Sequence, residues 1–232
     1  MAAILWPKKI LKPQNIELDI TPRNLRGPTN SSGFAQVVSN SAGMWNGYFD
    51  AVPVYNRSMI LLWRTIFQLA EGQLNAIRLP IWDKLRAPLP SGATVDDLSA
   101  SGVPHSDDEF FSDGSGYIST ITDVETSTNV EIGEVELTIT KTVSGDIESG
   151  QRFSVETNDV SRLYQVGLIS AQDDTSATFK FLPPAREPFP IGTSLNFDCP
   201  LIDVRLADDR EMRLPLNFNR QSFPTVSFIE AL

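Results

Sequence analysis

The chain of 232 residues has one cysteine, Cys199, and one histidine, His105. A lone cysteine excludes any disulfide within the chain and points to folding in a reducing compartment. A lone histidine leaves little material for a zinc centre, which draws on several Cys and His ligands. Positive charge is also scarce: 19 Lys and Arg stand against 29 Asp and Glu, a formal charge of −10. Wrapping DNA takes basic side chains against phosphates, so this balance argues against nucleic acid as a specific partner. No apolar run approaches the ~20 residues that cross a bilayer. The opening MAAILWPKK has no apolar core after its charges and does not read as a secretory signal. The expectation is a protein made in a cytosol, without membrane insertion.

Helical periodicity is concentrated in one stretch, Asn56 to Gly72, with the helix expected over 56–71. Asn56 has the side chain of an N-cap, and Gly72 offers a left-handed stop. Met59, Leu62, Trp63, Ile66, Leu69 and Ala70 share one face, which Ile60 and Phe67 widen. Arg57, Arg64, Gln68 and Glu71 form a narrow polar stripe, interrupted by Leu61. An apolar arc of about half the circumference exceeds what one packed sheet covers, so a subunit contact through Leu61, Trp63 and Phe67 competes with plain core burial.

The rest alternates with the period of strands. Ile16, Leu18 and Ile20 interleave with Glu17 and Asp19, Pro22, Gly27 and Pro28 then break regular structure, and Phe34–Val38 and Met44–Tyr55 flank a turn of Asn, Ser and Gly. NAIRLPIW reads as a strand with Pro80 at an edge or bulge. From Arg86 to Gly116 the pattern stops; prolines, glycines and the acidic group Asp107, Asp108, Glu109 and Asp113 take over. Strand candidates then recur at Val135–Ile139, Phe153–Val155, Leu163–Ile169, Ala177–Leu182 and Leu195–Phe197, the spacing of a small closed barrel. The tail alternates again over Ile202–Leu206, Met212–Phe218 and Val226–Phe228. Too few strands remain there for a core, so they are expected to pair with the N-terminal ones. The predicted fold is mainly β. A discontinuous β-sandwich with one α-helix (1–116 and 198–232) carries an inserted OB-like or SH3-like β-barrel (117–197).

Little in the sequence resembles catalytic chemistry. His105 stands beside Ser106 and acidic residues, but a Ser–His–Asp triad draws on separated segments. His105, Asp107, Asp108, Glu109 and Asp113 offer metal ligands without the calcium-loop spacing. Cys199, between Asp198 and Pro200, reads as a small buried side chain. No phosphate loop or dinucleotide fingerprint occurs. Neither an enzyme nor a cofactor or metal site is expected. The aromatic residues Phe110, Phe111, Tyr117 and Tyr164 are the remaining handle, able to stack on sugar, anchor a partner or fill a core.

Several phrases carry a resemblance: the opening IELDITPRNLRGPT, the hairpin GFAQVVSNSAGMWNGYFDAV, the helix followed by NAIRLPIWDKLRAP, and the PHSDDEFFSDGSGY loop. LYQV…FKFLPPAREPFPIGTSLNF and the closing MRLPLNF…VSFIEAL complete the set. In this order they resemble the distal tail proteins of long-tailed bacteriophages, the kind with an extra small barrel. The resemblance implies a structural virion protein at the tail tip. It would form a hexameric ring between the tail tube protein and the tail hub or baseplate, with DNA passing through the lumen. Subunit or partner contacts would then fall on Leu61, Trp63, Phe67, Asp107, Asp108, Phe110, Phe111 and Tyr164. Two other readings stay open: a carbohydrate-binding adhesion protein at a host surface, with glycan held at Tyr164 or Phe111, and another tail component such as a tube or tube-terminator subunit.

Overall fold

A computed structural model describes residues 3–29, 31–39, 43–81, 83, 85, 87–94, 121–217 and 220–232. The chain is mainly β. In order, the described elements are β1 (Ile4–Leu5), β2 (Asn15–Thr21), β3 (Asn24–Thr29), β4 (Ala35–Ser39), β5 (Met44–Asp50), α1 (Arg57–Ala70) and β6 (Ile77–Pro80). They continue as β7 (Asp123–Thr126), β8 (Glu136–Val143), β9 (Arg152–Thr157), β10 (Val160–Gln172), β11 (Ser176–Leu182), β12 (Leu201–Leu206) and β13 (Val226–Glu230). Two units divide these elements. Unit 1 is Met1–Pro80, Asn158–Arg162 and Leu201–Leu232; unit 2 is Ile81–Thr157 and Leu163–Pro200. The divisions fall at 80/81 and 200/201, not at the expected 116/117 and 197/198. The early boundary has a local cause: Gly145 N–H bonds the Pro88 carbonyl at 2.9 Å, and Ala87 and Leu89 join the unit 2 core.

Unit 1 holds a six-stranded sheet in the order β1-β6-β12-β13-β5-β2, with β3 and β4 as a separate pair. Strands from both ends of the chain therefore share one sheet. Its core is aromatic. Trp6 meets Phe49, Trp63 and Phe228 edge-on, with ring centroids 5.3, 6.0 and 5.9 Å apart. The buried indoles of Trp6 and Trp63 have partners, as burial of an N–H requires: Trp6 Nε1 donates to Leu11 O at 2.9 Å and Trp63 Nε1 to Met212 O at 2.7 Å. Trp6 thus ties the helix, through Trp63, to the sheet residues Phe49 and Phe228.

The helix begins as its cap predicts, with Met59 N–H donating to Asn56 Oδ1 at 2.8 Å. It ends differently: Glu71 is already left-handed (φ 48°), and Gly72 follows at φ 67°. Space as well as conformation favours glycine there, because a Cβ on Gly72 would lie 2.4 Å from Asp209 Oδ1. That same oxygen accepts Gln73 N–H at 3.0 Å. Only Trp63, Ile66 and Ala70 of α1 are buried, a stripe narrower than the apolar arc in the sequence.

Three other expectations need correction. β6 is flanked by β1 and β12 and is no edge, but β1 pairs only with Ile77 and Arg78, so Pro80 lies beyond it and its missing N–H costs nothing there. Gly27 and Pro28 do not end regular structure; they sit inside β3 where the register with β4 shifts. Met212–Phe218 forms no strand over its described residues: Met212 turns left-handed (φ 58°) and is buried, its carbonyl serving Trp63.

Unit 2 holds a five-stranded sheet in the order β7-β8-β11-β10-β9. Its core packs Phe153, Tyr164, Phe179, Phe181, Phe189 and Phe197 with Val, Leu and Ile side chains. The segment after β11 reaches both edges. Leu195 N–H bonds Val124 O in β7 at 2.9 Å, while Asn196 and Ser154 of β9 exchange bonds of 2.9 and 3.0 Å.

Candidate interaction surfaces

The hairpin of β3 and β4 is the barest part of unit 1. Leu25 is 77% and Phe34 74% exposed, and Val37 and Val38 are both more than half exposed. Adjacent strand residues point to opposite faces, so exposure of Val37 and Val38 together means that, among the described residues, neither face is fully covered. Among the described residues no third strand joins the pair. An isolated two-stranded hairpin is marginal in water, and apolar side chains on both faces raise the cost. Its base opens into a groove of about 410 Å³ lined by Pro22, Arg23, Asn24, Leu25 and Val38.

A second groove, of about 530 Å³, runs along the outer side of α1. Arg57, Ile60, Leu61 and Arg64 line it. Their spacing of three, four and seven places them on one helix face. Arg57 and Arg64 lie about 10 Å apart along the axis at 1.5 Å per residue. Tyr55, Leu216 and Arg220 complete the lining. Arg220 is brought there by a tight turn, Asn217 N–H to Gln221 O at 2.7 Å, and by paired bonds of 2.8 and 2.9 Å between Ser222 and Val54. No salt bridge or side-chain hydrogen bond engages Arg57, Arg64 or Arg220 among the described residues. Arg57 also occupies the first turn of α1, which contains no acidic residue. A cation there opposes the helix dipole. In a chain of net charge −10, the groove gathers three arginines that have no ion pair among the described residues.

The expected contact residues separate into three groups. Leu61 and Phe67 are exposed, at 44% and 38%, and only Leu61 lines the groove. Trp63 and Tyr164 are fully buried and belong to the cores of their own units. Tyr164 Oη accepts the Arg186 backbone N–H at 3.2 Å, so neither its face nor its hydroxyl is offered to a sugar or a neighbour. Asp107, Asp108, Phe110 and Phe111, with His105 and Tyr117, lie outside the described residues. Cys199 is half-buried in a turn closed by its N–H to Asn196 Oδ1 at 2.9 Å, more open than the expected core position.

Carboxylates elsewhere serve the backbone. Asp173 is lowered to about 2, chiefly by the Thr175 N–H and then by the Ser176 hydroxyl, capping the turn between β10 and β11. Asp50 is also held below the usual carboxylate range, first by the Thr225 hydroxyl and then by the Asn15 amide. Tyr48 is raised by its hydrogen bond to Glu17. Asp203 is buried; it accepts Arg78 Nε at 2.8 Å and Ser161 N–H at 3.1 Å. Among the described residues no three His, Cys, Asp or Glu side chains gather as a metal site, and no helix is long and apolar enough to cross a membrane.

A scan against protein-family models finds no match to this chain, and a search of curated proteins finds none either.

Proposed function

We propose that this chain is a structural subunit of a phage virion, the distal tail ring that joins the tail tube protein to the tail-tip hub. The observation that carries the reading is the β3–β4 hairpin, bare and apolar on both faces. Such a surface is normal for a protein whose next copy covers it and costly for one that stays alone. A ring repeats one head-to-tail contact, so each subunit must offer two different patches. The hairpin belongs to one of them. In this reading unit 1 is the ring-forming β-sandwich domain and unit 2 the inserted OB-like or SH3-like barrel. The bonds of Leu195 and Asn196 to both β7 and β9 support closure of that barrel. Each copy brings a formal charge of −10, and charge of that sign facing the lumen would keep passing DNA from adhering. The assembled protein would reside at the virion tail tip after synthesis in the bacterial cytoplasm. A glycan reading is weakened by the burial of Tyr164.

Light scattering after size exclusion, with negative-stain imaging, tests the proposal. Single-layer six-fold rings are expected, and Phe34→Asp with Leu25→Asp should reduce them to monomers. Monomers alone at high concentration and in the presence of the hub would overturn the reading, and long cylinders would replace it with a tube subunit.

A further inference from the structure

We infer that the groove along α1 binds an acidic–aromatic segment of a second copy of this chain, residues 106–113, SDDEFFSD. The inference deepens the ring reading and rests on it for the source of the segment. The groove presents a pattern: a cation at Arg57, apolar side chains at Ile60 and Leu61, and a cation at Arg64, with Arg220 and Tyr55 also in the lining. The segment has the complementary order in sequence: carboxylates at Asp107, Asp108 and Glu109, aromatics at Phe110 and Phe111, then a carboxylate at Asp113. The lengths agree. The four steps from Glu109 to Asp113 reach at most ~14 Å when extended, enough to pass the ~10 Å between the two arginines.

The free groove has an electrostatic cost that this occupant removes. Arg57 opposes the helix dipole, Arg64 lies two turns on, and neither has a carboxylate beside it among the described residues. Arginine suits this role because its planar fork takes a carboxylate in two parallel hydrogen bonds and can also stack on an aromatic ring. A bare anion would leave Ile60, Leu61 and Leu216 in water. Carboxylates with two phenylalanines between them use the whole groove.

A labelled synthetic peptide of residues 104–115, titrated onto the full chain and followed by fluorescence anisotropy, tests the inference. Saturable binding is expected, weakened at least tenfold by Arg57→Glu with Arg64→Glu and markedly by added salt. A peptide with Asp107, Asp108 and Asp113 each replaced by Lys should prefer the reversed variant. Absence of binding at millimolar peptide, equal binding of a scrambled peptide, or full binding by the reversed variant would overturn it. Light scattering separates the two proposals. Rings that form undisturbed in the reversed variant leave the ring reading standing and remove this one. A chain that takes the peptide yet stays monomeric with and without the hub removes the second copy as its source, and the ring with it.

Discussion

The two units solve the same problem with different thoroughness. Among its described residues, unit 2 buries its aromatics and exposes single apolar side chains, Leu85, Ile132, Val143, Leu168, Leu182 and Ile191. Unit 1 is built on four edge-on aromatic contacts at its centre, yet exposes Leu25, Phe34, Val37 and Val38 along one hairpin and Leu61, Phe67 and Leu69 along one helix. Single exposed hydrophobics need no explanation, whereas grouped ones mark a contact. Among the described residues, the difference separates a unit with single exposed apolar side chains from one in which they are grouped along a hairpin and a helix.

The strongest way to break this comparison is through the cores. Trp63→Ala removes the indole that joins helix to sheet, and Phe153→Ala removes the centre of the unit 2 cluster. Each should cost about 3–5 kcal/mol in urea unfolding, since both side chains are fully buried. A cost near zero for Trp63→Ala would mean that unit 1 has no core of its own. Next is Gly47→Ala in β5. Its Cβ would lie 2.0 Å from Glu17 O in β2, a backbone atom that cannot swing away. A loss of about 1–3 kcal/mol or more is expected by the same measurement, as for other overpacked sites.

The surface contrast is sharpened by matched substitutions. Leu25→Asp in unit 1 should weaken self-association at least tenfold, about 1.4 kcal/mol, in sedimentation equilibrium. Leu168→Asp in unit 2, at comparable exposure, should leave it unchanged. Both should alter folding stability by less than about 0.5 kcal/mol, as isolated surface changes do. Equal effects on association would dissolve the distinction between the units. The smallest effect is acidic. Asp173 titrates near 2 in the folded state, below its unfolded value, so its contribution is present above about pH 4 and fades as pH falls toward 2. Asp173→Asn should lower the melting temperature slightly at pH 6 and not at pH 2. A difference that grows toward low pH would contradict the capping role.

Much of the strand pattern was legible because one-sided burial writes a period of two into the sequence. Ile16, Leu18 and Ile20 mark β2, and Ile202, Val204 and Leu206 mark β12. β1 escaped because two residues have no period, and β3 because Gly27 and Pro28 are tolerated at a register shift. Met212–Phe218 misled in the opposite direction: its alternation serves a buried methionine and a carbonyl for Trp63, not a ladder. The surfaces were harder to read. Aromatic size cannot distinguish a core from a contact, so Trp63 and Tyr164 were as plausible outside as in. Leu61 was visible as the break in a polar stripe. Arg220 was not, because only the pairing of Ser222 with Val54 carries it to the helix. The available signal was Arg57, a cation where a helix start favours an anion.

The chain leaves the six-stranded sheet at Pro80 and returns at Leu201, and those two residues are register partners. Exit and entry are therefore one doorway, closed by the Ile81 N–H to Pro200 O bond of 3.0 Å. Any insert whose ends meet at strand spacing, about 5 Å, can occupy that doorway without shifting β6 against β12. The present insert is not wholly interchangeable, because Ser161 lends its N–H to buried Asp203. A replacement has to return that hydrogen bond, together with those that join Arg78 to the Asp159 carbonyl and Arg162 to the Ala231 carbonyl.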